Sequence, residues 1–256
     1  MKTVLITGST SGIGLGIAKS FAATKKYNIV FNGLEANGQE IADAIGLEFG
    51  INVMFSSANM LSENELAEMV SSVTQRFGSI DILINNAGVQ FVSPIEDFPI
   101  EKWNLILGVN LTSAFILSKL VWNNMKAKKF GRIINIASAH GLVASEFKSA
   151  YIASKHGIIG LTKTLALEGA PFNITVNAIC PGYVKTPLVE KQIADQAKAH
   201  QLSESEVVSK VMLQKQAVKS FVPVETLGAV ALMLADENAS TLTGTSIPVD
   251  GGWNAQ

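Results

Sequence analysis

Short runs rich in Val, Ile and Leu alternate with longer amphipathic runs along the whole 256-residue chain, and this alternation restricts its fold more than any other feature. "TVLIT" (3–7), "NIVFNG" (28–33), "INVMFSSA" (51–58), "IDILINNAG" (80–88), "GRIINIAS" (131–138), "ITVNAICPG" (174–182) and "GTSIPVDGG" (244–252) read as seven strands. Helices are expected near 13–24, 37–49, 63–77, 101–128, 149–169 and 223–235. Strands that alternate with helices pair in parallel, because a parallel crossover needs a long connection. The expected fold class is α/β, a doubly wound, seven-stranded parallel sheet with helices on both faces. Ser62 with Glu65 three residues later reads as a capping box opening the helix at 63–77.

No linker, repeat or low-complexity segment divides the chain, so 1–256 reads as one domain. Residues 183–221 break the rhythm, reading as two polar helices with no strand between. They follow the C-terminal end of a parallel strand, where such sheets bind ligands, and so are expected to form a helical lid. Apolar residues at 48% and charged residues at 16% exclude disorder. A net charge of −1 gives no footprint for nucleic acid and no polybasic signal for a membrane. The N-terminal "MKTVLITGSTSGIG" is patterned as strand and turn, not as a signal peptide, and no uncharged apolar run reaches spanning length. The single cysteine, Cys180, lies in an apolar strand and fits a reducing compartment. A cytoplasmic protein without nucleic acid or membrane partners is expected. His140, His156, His200 and Cys180 are scattered, so no metal site is expected.

"TGSTSGIG" (7–14) follows the first strand directly and opens a helix. Gly8, Gly12 and Gly14 let the backbone turn tightly and approach a ligand closely. The helix start then offers N–H groups and a positive dipole end to a pyrophosphate. A second segment, "SAHGLVASEFKSAYIASKH" (138–156), carries Tyr151 and Lys155 four residues apart, on one helix face. A phenol with a pKa near ~10 is a poor base at neutral pH, and a nearby ammonium lowers that value. Tyr151 is thus suited to exchange a proton with a hydroxyl or carbonyl oxygen while hydride moves. Ser138, at the end of strand five, can hydrogen-bond the same oxygen.

The G-x-x-x-G-x-G spacing, "NNAG" (85–88), Ser138 with Tyr151-x-x-x-Lys155, and "PG" (181–182) followed by "VKTP" (184–187) together resemble the short-chain dehydrogenase/reductase family over the whole chain. The resemblance implies a Rossmann-type fold and a nicotinamide cofactor. Its implied contacts are Gly8, Thr10, Ser11, Gly12, Ile13 and Gly14 in the first turn, with Leu34, Asn59 and Met60 at the adenosine end. Asn86, Gly88, Tyr151, Lys155, Pro181, Gly182, Val184 and Thr186 are implied towards the nicotinamide. Asn110, in "LGVNLTSAF", is implied to hold a proton-relay water to Lys155. A homotetramer is implied through the helices near 101–128 and 149–169 and the C-terminal strand. At the end of strand two the sequence is Asn32-Gly33-Leu34-Glu35, with glycine at the usual acidic position. No Arg or Lys stands at 33–35, Ser11 fills a position often basic in NADP enzymes, and an inward Glu35 would repel a 2′-phosphate. NAD is therefore the expected cofactor.

His140 and Lys148 fall beside the catalytic residues, and a cation with polar donors suits a small anion held by its carboxylate. "INIASAHGLVAS", "NNAGVQ", "PIEDFP" and "CPGYVKTPLVEKQI" further resemble a bacterial subgroup of the family that oxidises (R)-3-hydroxybutyrate to acetoacetate with NAD. That resemblance implies a carboxylate grip by Gln90, His140, Lys148, Gln192 and Trp253, with lid closure excluding water. The alternatives are a 3-oxoacyl-carrier-protein reductase or another short-chain hydroxy-acid or ketone reductase. A carrier-protein reductase would need NADPH and a basic patch. A non-catalytic dinucleotide-binding module would have no need to keep Asn110, Ser138, Tyr151 and Lys155 together.

Overall fold

The computed structural model describes residues 1–186, 189–190, 193, 197 and 202–255. Seven strands form one sheet: β1 (Lys2–Ile6), β2 (Tyr27–Asn32), β3 (Val53–Ser56), β4 (Ile82–Asn85), β5 (Gly131–Ile136), β6 (Ile174–Pro181) and β7 (Ser246–Val249). All pair in parallel, in the order β3-β2-β1-β4-β5-β6-β7. The chain runs outward from β1 to β3, then returns to place β4 on the other side of β1. This reversal opens a crevice beyond the carboxyl ends of β1 and β4, where such sheets bind ligands.

The helices are α1 (Gly12–Ala23), α2 (Gly38–Phe49), α3 (Glu63–Phe77), α4 (Ile100–Leu107), α5 (Ser113–Lys128), α6 (Ser149–Gly169) and α7 (Val224–Ala235). Period-two alternation along each strand divides the core. Val4 and Ile6 of β1 face Ile17 and Phe21 of α1 and Leu227 and Leu234 of α7. Leu5, between them, joins Leu66 and Val70 of α3 and Leu117 and Val121 of α5 on the opposite face. Each such side chain, fully buried, contributes about 1.5–3 kcal/mol.

The long helix expected over 101–128 is interrupted. α4 gives way to a π-helical turn, Gly108–Thr112, before α5 resumes. By length and composition the run Ile100–Lys128 could also cross a membrane. Here Ile106, Ala114, Leu117, Val121 and Met125 are buried within the domain. The expected capping box is half formed. Ser62 Oγ accepts from Glu65 N at 3.3 Å, but the Glu65 carboxylate takes Asn59 N at 2.9 Å. Ser62 N is already engaged with Asn59 O, so the reciprocal bond has no donor.

The lid also differs from expectation. Its described part contains a turn, Glu204–Glu206, running into a π-helix, Val207–Met212. Val207, Met212 and Ile193 pack with Tyr183 and Phe221, giving the segment a small apolar core. Val184 and Val222 pair as an isolated parallel bridge across its two ends. Gln192 and His200 lie outside the described residues.

Asn32, 2% exposed at the end of β2, ties three segments below the crevice. Its Oδ1 accepts from Gly8 N (3.2 Å), and its Nδ2 donates to Ser56 O (3.1 Å) and Ala58 O (3.0 Å). Asn32→Leu strands these buried groups and is expected to cost roughly 2–3 kcal/mol in urea unfolding. Unchanged stability would contradict this reading of Asn32.

Candidate active site

The crevice is built by the end of β4 gripping the turn after β1. Asn86 Nδ2 donates to Thr7 O (2.8 Å) and Gly8 O (2.9 Å). In return Thr7 Oγ1 accepts from Asn86 N and Ala87 N, each at 3.0 Å. Gly8 and Gly12 have φ of +60° and +54°, a region that disfavours side chains. A Cβ on Gly14 would stand 2.5 Å from Asn86 Nδ2 and collide with Gly8 O. The turn is thus a close-fitting backbone cradle at the start of α1, which fits the phosphates of a dinucleotide. Both Asn86 amide hydrogens are used within this scaffold. Thr186, in the loop after β6, faces Gly12 across the cradle, its Cγ2 3.5 Å from where a Gly12 Cβ would sit.

Glu35 marks the adenosine end. Its carboxylate folds back to accept from the Thr10 hydroxyl and, at 3.4 Å, from Ser11 Oγ. Gly33 makes room, since a Cβ there would lie 2.5 Å from Glu35 Oε2. Burial would raise the Glu35 pKa. Hydrogen bonds from Thr10, from backbone groups and from Ser11 outweigh it and hold the carboxyl below its ordinary value. An ionised carboxylate therefore points into this end of the crevice. Leu34 is exposed and Met60 buried. Asn59 Oδ1 accepts from Leu61 N at 3.0 Å, leaving its amide hydrogens for a ligand.

Tyr151 and Lys155 lie one turn apart on α6. Lys155 Nζ is 5.6 Å from the Tyr151 ring centroid and donates to Ile136 O, at the end of β5, at 2.8 Å. Burial brings the Lys155 pKa down to about 8. Burial also raises the Tyr151 phenol, against the opposing pull of the Ser138 hydroxyl. The expected depression of the phenol by Lys155 is not found in the chain alone, where desolvation prevails. Ser138 Oγ accepts from His140 N at 3.1 Å, which fixes the turn after β5. Asn110 sits in the π-helical turn. Its Oδ1 accepts from Val89 N (2.8 Å), and its Nδ2 donates to Val89 O (3.0 Å) and Ser154 Oγ (3.2 Å). Among the described residues no hydrogen bond joins it to Lys155. Its side chain anchors the strand end and helix that flank the lysine.

Beside Tyr151 lies a cavity of about 120 Å³, lined by Gln90, Ser138, His140, Lys148, Tyr183 and Trp253 among others. This is well below the ~300–1,000 Å³ of sites for drug-sized ligands. Gln90 Nε2 is buried without a partner, a donor aimed at nothing in the protein. His140 Nε2 bonds Ser145 Oγ at 2.8 Å, and its ring is 5.0 Å from that of Trp253. Burial, followed by the charges of Lys148 and Lys215, holds the His140 pKa at about 3, so the ring is neutral. Burial, then Lys215, lowers the Lys148 pKa.

Trp253 is 7% exposed and stacks on Tyr183, with ring centroids 5.7 Å apart. It thus occupies a site within its own chain. The five-residue grip is brought together except for Gln192, which lies outside the described residues. The sequence analysis did not single out Tyr183, which lines the cavity and whose backbone N donates to the buried Gln216 Oε1 at 3.2 Å. Tyr183 follows the Pro-Gly pair directly, and that position could have marked it. Among the described residues no three His, Cys, Asp or Glu side chains gather as metal ligands would.

The sequence profile of the short chain dehydrogenase family matches residues 2–197. A D-beta-hydroxybutyrate dehydrogenase of Rhizobium meliloti (strain 1021) is 54% identical, covering 100% of this chain and 99% of the relative. The protein of that name from Cupriavidus necator is 49% identical, covering 100% of this chain and 98% of the relative. Among solved structures, an actinorhodin polyketide ketoreductase variant with NADPH superposes with a TM-score of 0.93 at 29% identity, covering 100% of this chain and 98% of that one.

A pKa held at about 3 leaves His140 essentially neutral from pH 5 upward. Its imidazole NMR resonance, assigned with His140→Gln, is expected to stay flat from pH 5 to 8, where an unperturbed histidine titrates. An inflection in that window would contradict the burial argument.

Proposed function

The chain belongs to the short-chain dehydrogenase family, and on that premise we propose that it catalyses the reversible, NAD-dependent oxidation of (R)-3-hydroxybutyrate to acetoacetate. The observation that carries the proposal is the lining of the small cavity. The orphaned Gln90 amide, the half-buried Lys148 and neutral His140 all meet beside Tyr151. These groups suit one carboxylate, held a short chain length from an oxygen that Tyr151 can reach. Two full-length relatives, at 54% and 49% identity, bear the name of this activity.

Lys148 supplies the charge for the carboxylate, with Gln90 and His140 as hydrogen-bonding partners. Gln192 is the further partner that the family resemblance implies. Trp253 and Tyr183 form an apolar wall that restricts length. The Tyr151 phenolate oxygen takes the proton of the C3 hydroxyl, while Ser138 holds that oxygen in place. Departure of the C3 hydrogen with its electron pair leaves the ketone of acetoacetate. Bound NAD supplies the hydride acceptor and, when oxidised, a positive charge that favours the phenolate. Lys155, anchored on Ile136 O, has further N–H groups for the nicotinamide ribose. Asn110 supports proton return through a water to Lys155. The cradle of Gly8, Gly12 and Gly14 receives the pyrophosphate.

Glu35 supports NAD over NADP, because its carboxylate stands where a 2′-phosphate would have to sit. A homotetramer fits the apolar surface left by Phe115 of α5 and Leu167 of α6, 49% and 80% exposed. A carrier-protein-linked reductase is less well supported. The cavity is small, and no lysine or arginine follows β2 at 33–35 to receive NADPH.

Absorbance at 340 nm tests the proposal with both enantiomers and both cofactors. Turnover of the (R) acid with NAD, and not of the (S) acid, is expected. Turnover of neither enantiomer would overturn the substrate assignment. Tyr151→Phe is expected to lower kcat by about 10³-fold or more. Glu35→Gln is expected to raise kcat/KM with NADP by about tenfold or more, by removing a like-charge contact. NADP turnover unchanged in Glu35→Gln would remove Glu35 from cofactor selection.

A further inference from the structure

His140 is held from several sides. Its backbone N donates to Ser138 Oγ at 3.1 Å. Its ring meets those of Trp253 and Tyr151 edge-on, with centroids 5.0 and 6.1 Å apart. Nε2 bonds Ser145 Oγ at 2.8 Å. Nδ1 makes no hydrogen bond among the described residues, so it is the ring nitrogen left to a ligand in the cavity that His140 lines.

Ser145 reaches the ring because the chain turns back after β5. Gly141 N donates to Ser138 O (2.8 Å), and Leu142 N and Val143 N donate to Ala139 O (2.9 and 3.1 Å). The turn is pressed onto α6, where a Cβ on Gly141 would stand 2.8 Å from Lys155 O. Two residues beyond Ser145, Phe147 has a φ of +64°, in the left-handed region, and its O accepts from Ser93 N at 2.9 Å. Ser145 thus lies between two fixed points of its loop. It is half-buried and is not among the residues lining the cavity.

The chemistry of the ring gives the Ser145 bond a direction. Burial first, and then the charge of Lys148, keep His140 neutral. A neutral imidazole has one N–H and one bare nitrogen. A carboxylate only accepts hydrogen bonds, so an Nδ1–H binds it and a bare Nδ1 repels it. With the proton on Nδ1, Nε2 is the bare nitrogen and requires a donor, which the rotatable Ser145 hydroxyl supplies. The hydrogen bond at one ring nitrogen sets whether the other carries the proton.

We propose that Ser145 is a positioning residue of the substrate site, whose hydroxyl donates to His140 Nε2, keeps the imidazole as its Nδ1–H tautomer and so presents that N–H to the substrate carboxylate. This rests on the carboxylate-substrate reading above. Ser145 does not touch the substrate and acts through His140. Without its hydroxyl the ring keeps its contacts with Trp253 and Tyr151 but is free to take either tautomer. The share with a bare Nδ1 then binds the acid poorly, while Lys148 still supplies the charge.

The test joins NMR to kinetics on the wild type, Ser145→Ala, Ser145→Val and Ser145→Thr. Valine and threonine have the same shape and differ in the hydroxyl. Long-range 1H–15N correlations on histidine-labelled protein with NAD bound, assigned with His140→Gln, show which ring nitrogen carries the proton at neutral pH. The wild type and Ser145→Thr are expected to carry it on Nδ1, and Ser145→Ala and Ser145→Val to shift towards Nε2–H. In steady-state oxidation, Ser145→Ala and Ser145→Val are expected to raise KM for (R)-3-hydroxybutyrate about tenfold, as loss of a hydrogen bond to a charged group should. The kcat and the KM for NAD should stay within about twofold, the pattern of a lost binding interaction. Ser145→Thr should keep the wild-type KM. A wild-type proton on Nε2, a tautomer or KM unchanged in Ser145→Val, or an equal rise in KM for Ser145→Thr and Ser145→Val overturns this role alone. A wild type that oxidises no 3-hydroxy acid overturns the substrate reading and this role with it.

Discussion

The carboxamide of Asn86 is the interaction on which the rest of the site depends. With one NH₂ group it holds the carbonyls of Thr7 and Gly8. That grip fastens the end of β4 to the turn after β1, across the gap left by the reversal of strand order. It also explains why Gly14 must lack a side chain, since a Cβ would strike both Gly8 O and the Asn86 amide. Asn32 performs the matching task from β2, holding Gly8 N to the strand that carries the adenosine end. Two side-chain amides, on either side of β1, thus shape a loop that could otherwise adopt many conformations. The cradle is rigid because its backbone groups are paired, and it can receive phosphates because the helix N–H groups beyond it point outward.

Desolvation in and beside the cavity resists ionisation: His140 is neutral, and Lys148 and Lys155 have lowered pKa values. Tyr151 is raised by the same desolvation. A site of this kind holds cations in a poor environment for charge, and it gains from an anion that satisfies them. Gln90, buried with an unused donor, points the same way. The chemistry and the binding then share one cause. Exclusion of water would strengthen the carboxylate contacts proposed above, and it leaves the phenol dependent on nearby positive charge to ionise.

Much of the fold was legible from the strands. Sheets buried on both faces require near-continuous apolar runs, and all seven runs read this way are strands of the sheet. Helix interiors were less legible. Nothing in "LGVNLTSAF" distinguishes π from α winding, because the extra residue is stabilised by tertiary bonds from Asn110 to Val89 and Ser154. The Ser62–Glu65 pair satisfied a local rule, but a turn bond from Ser62 N to Asn59 O, made before the helix begins, took the donor that the rule required. Glu35 could be named from the sequence but not aimed. Its direction follows from space at Gly33 and hydroxyls at Thr10 and Ser11. Gln216 carried no local signal, since its partner Tyr183 N is 33 residues away in sequence.

The chain removes hydride from C3 of a short 3-hydroxy acid, and the proposed site holds that acid's carboxylate beside Tyr151. The most direct measurement is to incubate the protein with NAD and (R)-3-hydroxybutyrate deuterated at C3, and to weigh the reduced cofactor by mass spectrometry. The account predicts one deuterium in every reduced nicotinamide, formed together with acetoacetate. Reduced cofactor without deuterium, or no reduction at all, would contradict it.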